Sequence, residues 1–189
     1  MKIGIFGGSF NPIHNGHIAL ANELCSRGEI DKIWLLVSPQ NPLKNKEDLM
    51  PEQDRLMMVE LATKEYPKLC ASNFEFQLPR PSFMVHTLEA LRKAYPNHQF
   101  ILIIGADNWL TFNHWFQPEE IRRHHHIIVY PRKGYDINQA QLPHGVSLVN
   151  TPLFPISSTD IRRKLKRKEA VRTWLNPKVE AYIKEKGFF

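Results

Sequence analysis

Six short apolar runs, at residues 3–6, 33–37, 69–71, 100–104, 127–130 and 146–149, constrain this chain more than any other feature in it. They are nearly continuous rather than alternating, as strands covered on both faces are, and helical patterns separate most of them. After the first run, "HIALANELCSRG" sets Ile18, Ala21, Leu24 and Cys25 on a helical period and stops at Gly28. "PEQDRLMMVELATKEYP" (51–67) opens on proline and acids and closes before Pro67. "SFMVHTLEALRKAYP" (82–96) and a charged stretch at 158–186, broken near Pro177, complete the helices. The alternation predicts an α/β fold built on a doubly wound, mostly parallel sheet, with residues 1–189 forming a single domain that ends in helices. A hydrophobic share of 42% suffices for one such core. Ligands of such sheets sit beyond the carboxyl ends of the strands, so chemistry is expected in the loops after Phe6, Val37, Ile104 and Val149. Loops at 38–46, 79–82 and 150–157 contain proline or asparagine and read as binding loops rather than domain linkers.

Charge narrows the partner. Against 19 Asp and Glu stand 25 Lys and Arg, a net +6, which favours an anion without choosing among nucleotide, nucleic acid and acidic surface. Cys25 and Cys70 form no metal-spaced pair and read as core thiols in a reducing compartment. The first ten residues lack a basic-then-apolar pattern, and the longest apolar run, 100–104, is far too short to span a bilayer, so a cytoplasmic protein with no membrane partner is expected. Three consecutive histidines, His124, His125 and His126, would point in alternate directions on entering a strand and lack the spacing of a closed metal site; they read as solvated residues, and no resident metal is expected.

The first loop is the most informative. "GIFGGSFNPIHNGH" (4–17) ends a strand in Gly7-Gly8 and leads through Ser9, Phe10, Asn11 and Pro12 to a helix near Gly16. Glycine lets backbone N–H groups approach a phosphate, and the helix N-terminus adds a favourable dipole. The spacing is neither that of a dinucleotide-binding G-x-G-x-x-G nor that of a Walker loop, so the histidines must carry part of the work. His14 and His17, three residues apart at a helix start, can turn both imidazoles toward one anion and donate hydrogen bonds to it.

This string closely resembles the nucleotidylyltransferase signature G-x-F-x-P-x-H-x-G-H. "ISSTDIRRKL" (156–165) resembles the second signature of that superfamily, I-S-S-T-x-I-R. Its chemistry is coherent: Ser157, Ser158 and Thr159 offer hydroxyls and an N-cap, and Arg162 presents a planar guanidinium one turn further along. Arg163, Lys164, Lys166, Arg167 and Lys168 read as a solvated basic surface. Within the superfamily the chain looks most like the bacterial nicotinate-mononucleotide adenylyltransferases, through "VSPQNPLK" (37–44) and "LIIGADNWLTFNHW" (102–115) besides the two signatures. The resemblance implies a Rossmann-like nucleotidylyltransferase fold and two substrates, ATP and nicotinate mononucleotide, joined into deamido-NAD with release of pyrophosphate.

It further implies that His14, His17, Lys44 and Arg162 act in catalysis. Gly7, Ser9, Phe10, His14, His17, Asp107, Ile156, Ser157, Ser158 and Arg162 would bind ATP. Gly8, Ser9, Lys44, Thr87 and Trp115 would bind the mononucleotide, Trp115 by stacking on the pyridine ring. Mg²⁺ would accompany ATP, held mostly by phosphate and water. Thr87 is equally well read as an ordinary helix residue, and Trp109, Phe112 and Phe116 read as packing aromatics. Two departures stand out. Family members commonly show P-P-H-K where this chain has Asn41-Pro42-Leu43-Lys44, and S-Y-T-x-D-T-L where it has Ser82-Phe83-Met84-Val85-His86-Thr87-Leu88. Phosphopantetheine adenylyltransferase, of the same fold, is the nearest alternative, though its signature usually has Thr in place of His14 and its chain is shorter. A cytidylyltransferase of the superfamily comes next. A nucleic-acid-binding module would need stacking aromatics among its basic residues, and "RRKLKRK" (162–168) has none, so no nucleic-acid partner is expected. The sequence is compatible with a homo-oligomer and does not determine oligomeric state.

Overall fold

The computed structural model describes residues 1–39 and 49–189. Six strands, β1 (Lys2–Gly8), β2 (Lys32–Val37), β3 (Leu69–Ser72), β4 (Gln99–Gly105), β5 (His126–Tyr130) and β6 (Val146–Leu148), form one sheet in the order β3-β2-β1-β4-β5-β6. Every neighbouring pair is parallel. Each apolar run became a strand, with ends shifted by one or two residues. The winding reverses between β1 and β4, which opens a crevice at their carboxyl ends.

The strands read as continuous apolar runs because each face has its own core. On β4, Ile101 and Ile103 enter one cluster while Phe100, Leu102 and Ile104 enter the other. The first cluster packs under α1 (Asn15–Ser26), α2 (Glu52–Thr63), α6 (Ser158–Lys166) and α7 (Pro177–Lys186). α3 (Met84–Ala94), α4 (Ala106–Leu110) and α5 (Pro118–His124) cover the second. α1 buries Ile18, Ala21, Leu24 and Cys25 and is followed by Gly28 at φ +81°, a left-handed position that suits glycine. α2 has Glu52 and Asp54 in its first turn, where the helix dipole favours acids. α7 begins with Asn176 as cap and Pro177 at its first position, and stops at Gly187.

Several expectations need correction. The stretch 158–186 is two helices separated by ten residues, not one helix with a local break. Those residues bury Val171 and Leu175, and the Trp174 carbonyl accepts from the Asn15 N–H at 2.8 Å, so the connection braces the start of α1. α4 was expected only through the resemblance of residues 102–115 to a strand-to-helix segment, and α5 was not expected; at five and seven residues they are too short to show a period. His125 is not solvated: it is 7% exposed, its Nδ1 lies 3.0 Å from the Phe100 carbonyl, and burial pushes its pKa down. His126 is also partly buried, with Nε2 2.9 Å from the Ser147 hydroxyl. Cys25 is a core thiol, whereas Cys70 on β3 is only partly buried. Among the described residues no helix is long and apolar enough to cross a membrane.

Candidate active site

At the β1/β4 crevice lies a cleft of about 770 Å³, a volume suited to nucleotide-sized ligands. β1 and its loop bring Gly7, Gly8, Ser9 and Phe10 to it, and the start of α1 brings His14 and His17. The two imidazoles stack, with ring centroids 3.6 Å apart at 21°. The His14 backbone N–H donates to His17 Nδ1 at 3.3 Å, so a neutral His17 carries its proton on Nε2 as a donor. Edge contacts from Phe10 at 5.1 Å and Phe6 at 5.9 Å fix that ring. His14 is 5% exposed; its burial, aided by the Arg132 cation, lowers its pKa to about 3. At neutral pH it is therefore an uncharged imidazole, able to donate one hydrogen bond but unable to contribute charge.

Two arginines bring positive charge to the same cleft. Arg162 on α6 donates through Nη1 to the Asn11 carbonyl at 2.9 Å and through Nη2 to the Thr159 hydroxyl at 3.4 Å. Its helix is capped by Ser157, whose oxygen accepts from the Asp160 N–H at 3.1 Å, while the Ser158 hydroxyl donates to the Pro12 carbonyl at 2.9 Å. The bonds from Arg162 to Asn11 and from Ser158 to Pro12 hold the second signature against the first. Arg132, just after β5, donates to the Tyr130 hydroxyl at 3.2 Å and places Nε 3.5 Å from Asp107 Oδ1. Gly105 makes that meeting feasible, because a side chain there would strike Asp107 Oδ1 and come within 3.1 Å of Arg132 Nε. Arg132 was missed in the sequence, although it follows a strand end; the signal was the rule that ligands bind beyond carboxyl ends, applied to the loops after β1, β2, β4 and β6 but not to the one after β5.

The far wall is apolar with a buried acid behind it. Trp115 lines the cleft and leans on Phe112 at 5.2 Å, whereas Trp109 stacks on Phe112 at 5.3 Å and does not line the cleft. Phe116 is not a packing residue as expected: it is 45% exposed and forms part of the cleft wall, 4.9 Å from Phe83. Thr87 is likewise corrected. It is fully buried and does not line the cleft; its hydroxyl donates to Glu75 Oε1 at 2.9 Å, and the Ser82 hydroxyl donates to Oε2 at 3.2 Å. Glu75 does reach the cleft, and burial pushes its carboxyl above the usual range against the pull of the Thr87, Ser82 and Ser38 hydroxyls. Ile156 does not line the cleft either; it packs against the core, its N–H donating to the Phe154 carbonyl at 2.8 Å. Lys44, with Asn41 and Leu43, lies outside the described residues. No group of three or more metal-binding side chains occurs among the described residues. The cleft carboxylates are already engaged, Asp107 by Arg132 and Glu75 by two hydroxyls.

With this geometry in view, the chain was compared with known proteins. Residues 5–164 match the family model described as cytidylyltransferase-like. The chain is 55% identical over 185 residues, 98% of its length and 92% of the relative, to a probable nicotinate-nucleotide adenylyltransferase of Bacteroides thetaiotaomicron. It is 43% identical over 191 residues, 100% of its length and 99% of the relative, to a protein of the same description from Flavobacterium johnsoniae. Among solved structures, the fold matches that of Plasmodium falciparum nicotinic acid mononucleotide adenylyltransferase complexed with NaAD, with a TM-score of 0.83 at 20% identity, over 100% of this chain and 98% of that one. Two signatures, tied to each other by Arg162 and Ser158 across one cleft, and relatives similar over nearly the whole length agree: the chain belongs to the cytidylyltransferase-like family and, within it, to the nicotinate-nucleotide adenylyltransferases.

Proposed function

We propose that the protein transfers the adenylyl group of ATP to nicotinate mononucleotide, forming nicotinate adenine dinucleotide and pyrophosphate. An oxygen of the mononucleotide 5′-phosphate attacks the α-phosphorus, and the bond from that phosphorus to the α,β-bridging oxygen breaks. The attacking oxygen is already anionic, so no protein nucleophile is needed and catalysis consists of positioning and charge stabilisation. His14, a neutral donor, and His17 beside it hydrogen-bond the α-phosphate oxygens on which charge develops. Arg162, at the start of α6, holds the departing pyrophosphate. Arg132 supplies the fixed positive charge that the neutral His14 does not. Gly7, Ser9 and Phe10 present the loop backbone to ATP, with Asp107 on the nucleoside side and Ser157 and Ser158 at the helix start. Gly8, Ser9, Trp115 and Lys44 serve the mononucleotide, whose pyridinium ring is flat and cationic and stacks on the Trp115 indole. Mg²⁺ would accompany ATP and shield the triphosphate; with Asp107 and Glu75 engaged by protein partners, phosphate and water would hold it.

The observation that carries this reading is that one cleft joins the paired imidazoles to Trp115 across the sheet's reversal point. Pyrophosphate release from ATP or CTP should be assayed with nicotinate mononucleotide, nicotinamide mononucleotide, phosphopantetheine and choline phosphate as acceptors. Release from ATP with nicotinate mononucleotide is the expected result. Release only with phosphopantetheine, or only from CTP, would replace the reading with another member of the superfamily.

A further inference from the structure

Arg55 is fully buried, yet it occupies the apolar stripe of α2, flanked by Leu56, Met58 and Val59. An isolated guanidinium is costly to bury, and a well-packed apolar side chain at such a position is commonly at least as stabilising. Here the charge meets four backbone carbonyls. Nε donates to Met50 at 2.9 Å, Nη1 to Ser9 at 2.6 Å and Ser38 at 2.7 Å, and Nη2 to Pro39 at 3.0 Å. Burial lowers its pKa only to about 10, so the cation persists at neutral pH. One side chain thus clamps together the loop after β1, the end of β2 and the entry to α2.

The effect of that clamp on the site follows from peptide geometry. In a trans peptide the C=O and the following N–H lie in one plane and point in opposite directions. Holding the Ser9 carbonyl on the buried side therefore turns the Phe10 N–H to the other side, where Ser9, Phe10 and His14 line the cleft. Phe10 itself has φ +45°, a left-handed conformation that non-glycine residues keep only when their surroundings impose it. Its ring, 2% exposed, is the one that meets the edge of His17 at 5.1 Å. Other carbonyls of the loop are held in the same way, Gly8 by the Ser38 N–H at 2.9 Å, Asn11 by Arg162 and Pro12 by Ser158. We propose that Arg55 is a positioning residue for adenylyl transfer: by holding the Ser9 carbonyl it aims the Phe10 N–H at the ATP phosphates and keeps Phe10 seated against His17. The proposal rests on the function given above, since it concerns how that site meets ATP.

Two experiments separate its failure from that of the functional reading. In the wild-type protein, the amide resonance of Phe10 is followed by ¹H–¹⁵N NMR as ATP, or inorganic pyrophosphate alone, is added without acceptor. A downfield shift of the Phe10 proton with ATP is expected; an unmoved resonance at saturating ATP overturns the proposal, whatever the acceptor proves to be. Arg55→Met and Arg55→Lys are then compared with wild type for folding, kcat and both KM values. The Met variant, if folded, should lose kcat by about 30-fold or more with the mononucleotide KM within about 3-fold, while Lys, which keeps the charge but not all four hydrogen bonds, should lose only about 3- to 10-fold. A folded Met variant with nearly unchanged kcat, or one whose activity falls only in proportion to its folded fraction, overturns the proposal. Should the Met variant not fold, the Lys variant decides: an unchanged kcat there overturns it, and a fall in kcat without a matching fall in stability supports it. Lack of turnover with nicotinate mononucleotide in the wild type counts against the functional reading alone.

Discussion

At the scale of single residues, burial decides what His14 can contribute. A histidine in a phosphate-binding loop invites the assumption of a cation, but its enclosed position and the nearby Arg132 hold the imidazole neutral, with a pKa of about 3 against an ordinary 6.5. Unfolded chains bind a proton at this site more readily than the folded protein, so His14 favours the folded state above pH 6.5 and progressively favours unfolding as pH falls from 6.5 toward 3. Between pH 7 and pH 5 the wild type should therefore lose about 2 kcal/mol more stability than His14→Gln, which has no such proton to take up. Urea titrations of both proteins at several pH values measure this difference. Parallel loss in the two would mean that the folded protein accommodates a charged His14. The motif spacing in the sequence placed the two histidines near each other, but their state of charge depends on what covers them, and the residues responsible lie far along the chain.

Among the elements, the single turn at Phe74–Gln77 and α3 link Thr87 to the cleft through a buried acid. Thr87 donates to Glu75, Glu75 reaches the cleft, and Ser82, bonded to the same carboxyl, leads into Phe83 and Met84 on the cleft wall. Thr87→Val keeps the shape and removes the donor, leaving a buried carboxyl with one hydrogen bond fewer. A loss of about 1–3 kcal/mol is expected, along with a further upward push on the Glu75 carboxyl and a several-fold rise in KM for the mononucleotide. Thr87→Ser should restore both. Thermal melts and initial-rate kinetics test the pair; a Val variant that is less stable but has unaltered KM would confine Thr87 to packing. That Thr87 works through an acid from a different element was not legible in the sequence, because a helix pattern shows which face is buried but not which group waits beneath it.

For the whole molecule, function depends on one cleft spanning the reversal point of the sheet, with the phosphate-binding loop on one side and an aromatic wall on the other. If the wall binds the pyridine ring, Trp115→Ala should raise KM for nicotinate mononucleotide by roughly 5- to 150-fold, as stacking of about 1–3 kcal/mol requires, with little change for ATP. Trp109→Ala, which removes a partner of buried Phe112 away from the cleft, should lower the melting temperature and disturb both substrates together. Steady-state kinetics with each substrate varied, beside melting curves, distinguish the two; exchanged behaviour would mean that the two indoles have exchanged roles. The strand–helix alternation, the strand positions and both signature loops could be read from the sequence, because apolar runs, glycine turns and helix caps are local consequences of side-chain size and backbone freedom. The short helices α4 and α5, the cleft position of Phe116, the burial of His125, the indirect role of Thr87 and the pairing of Arg132 with Asp107 were decided only in the folded chain. Each depends on which groups from distant segments close over a side chain, and burial and pairing of that kind arise only when the strands are set side by side. Arg55 shows the boundary most sharply: the sequence places it in a helix and marks nothing further about it, and only the fold supplies the burial and the four carbonyls that give it a role.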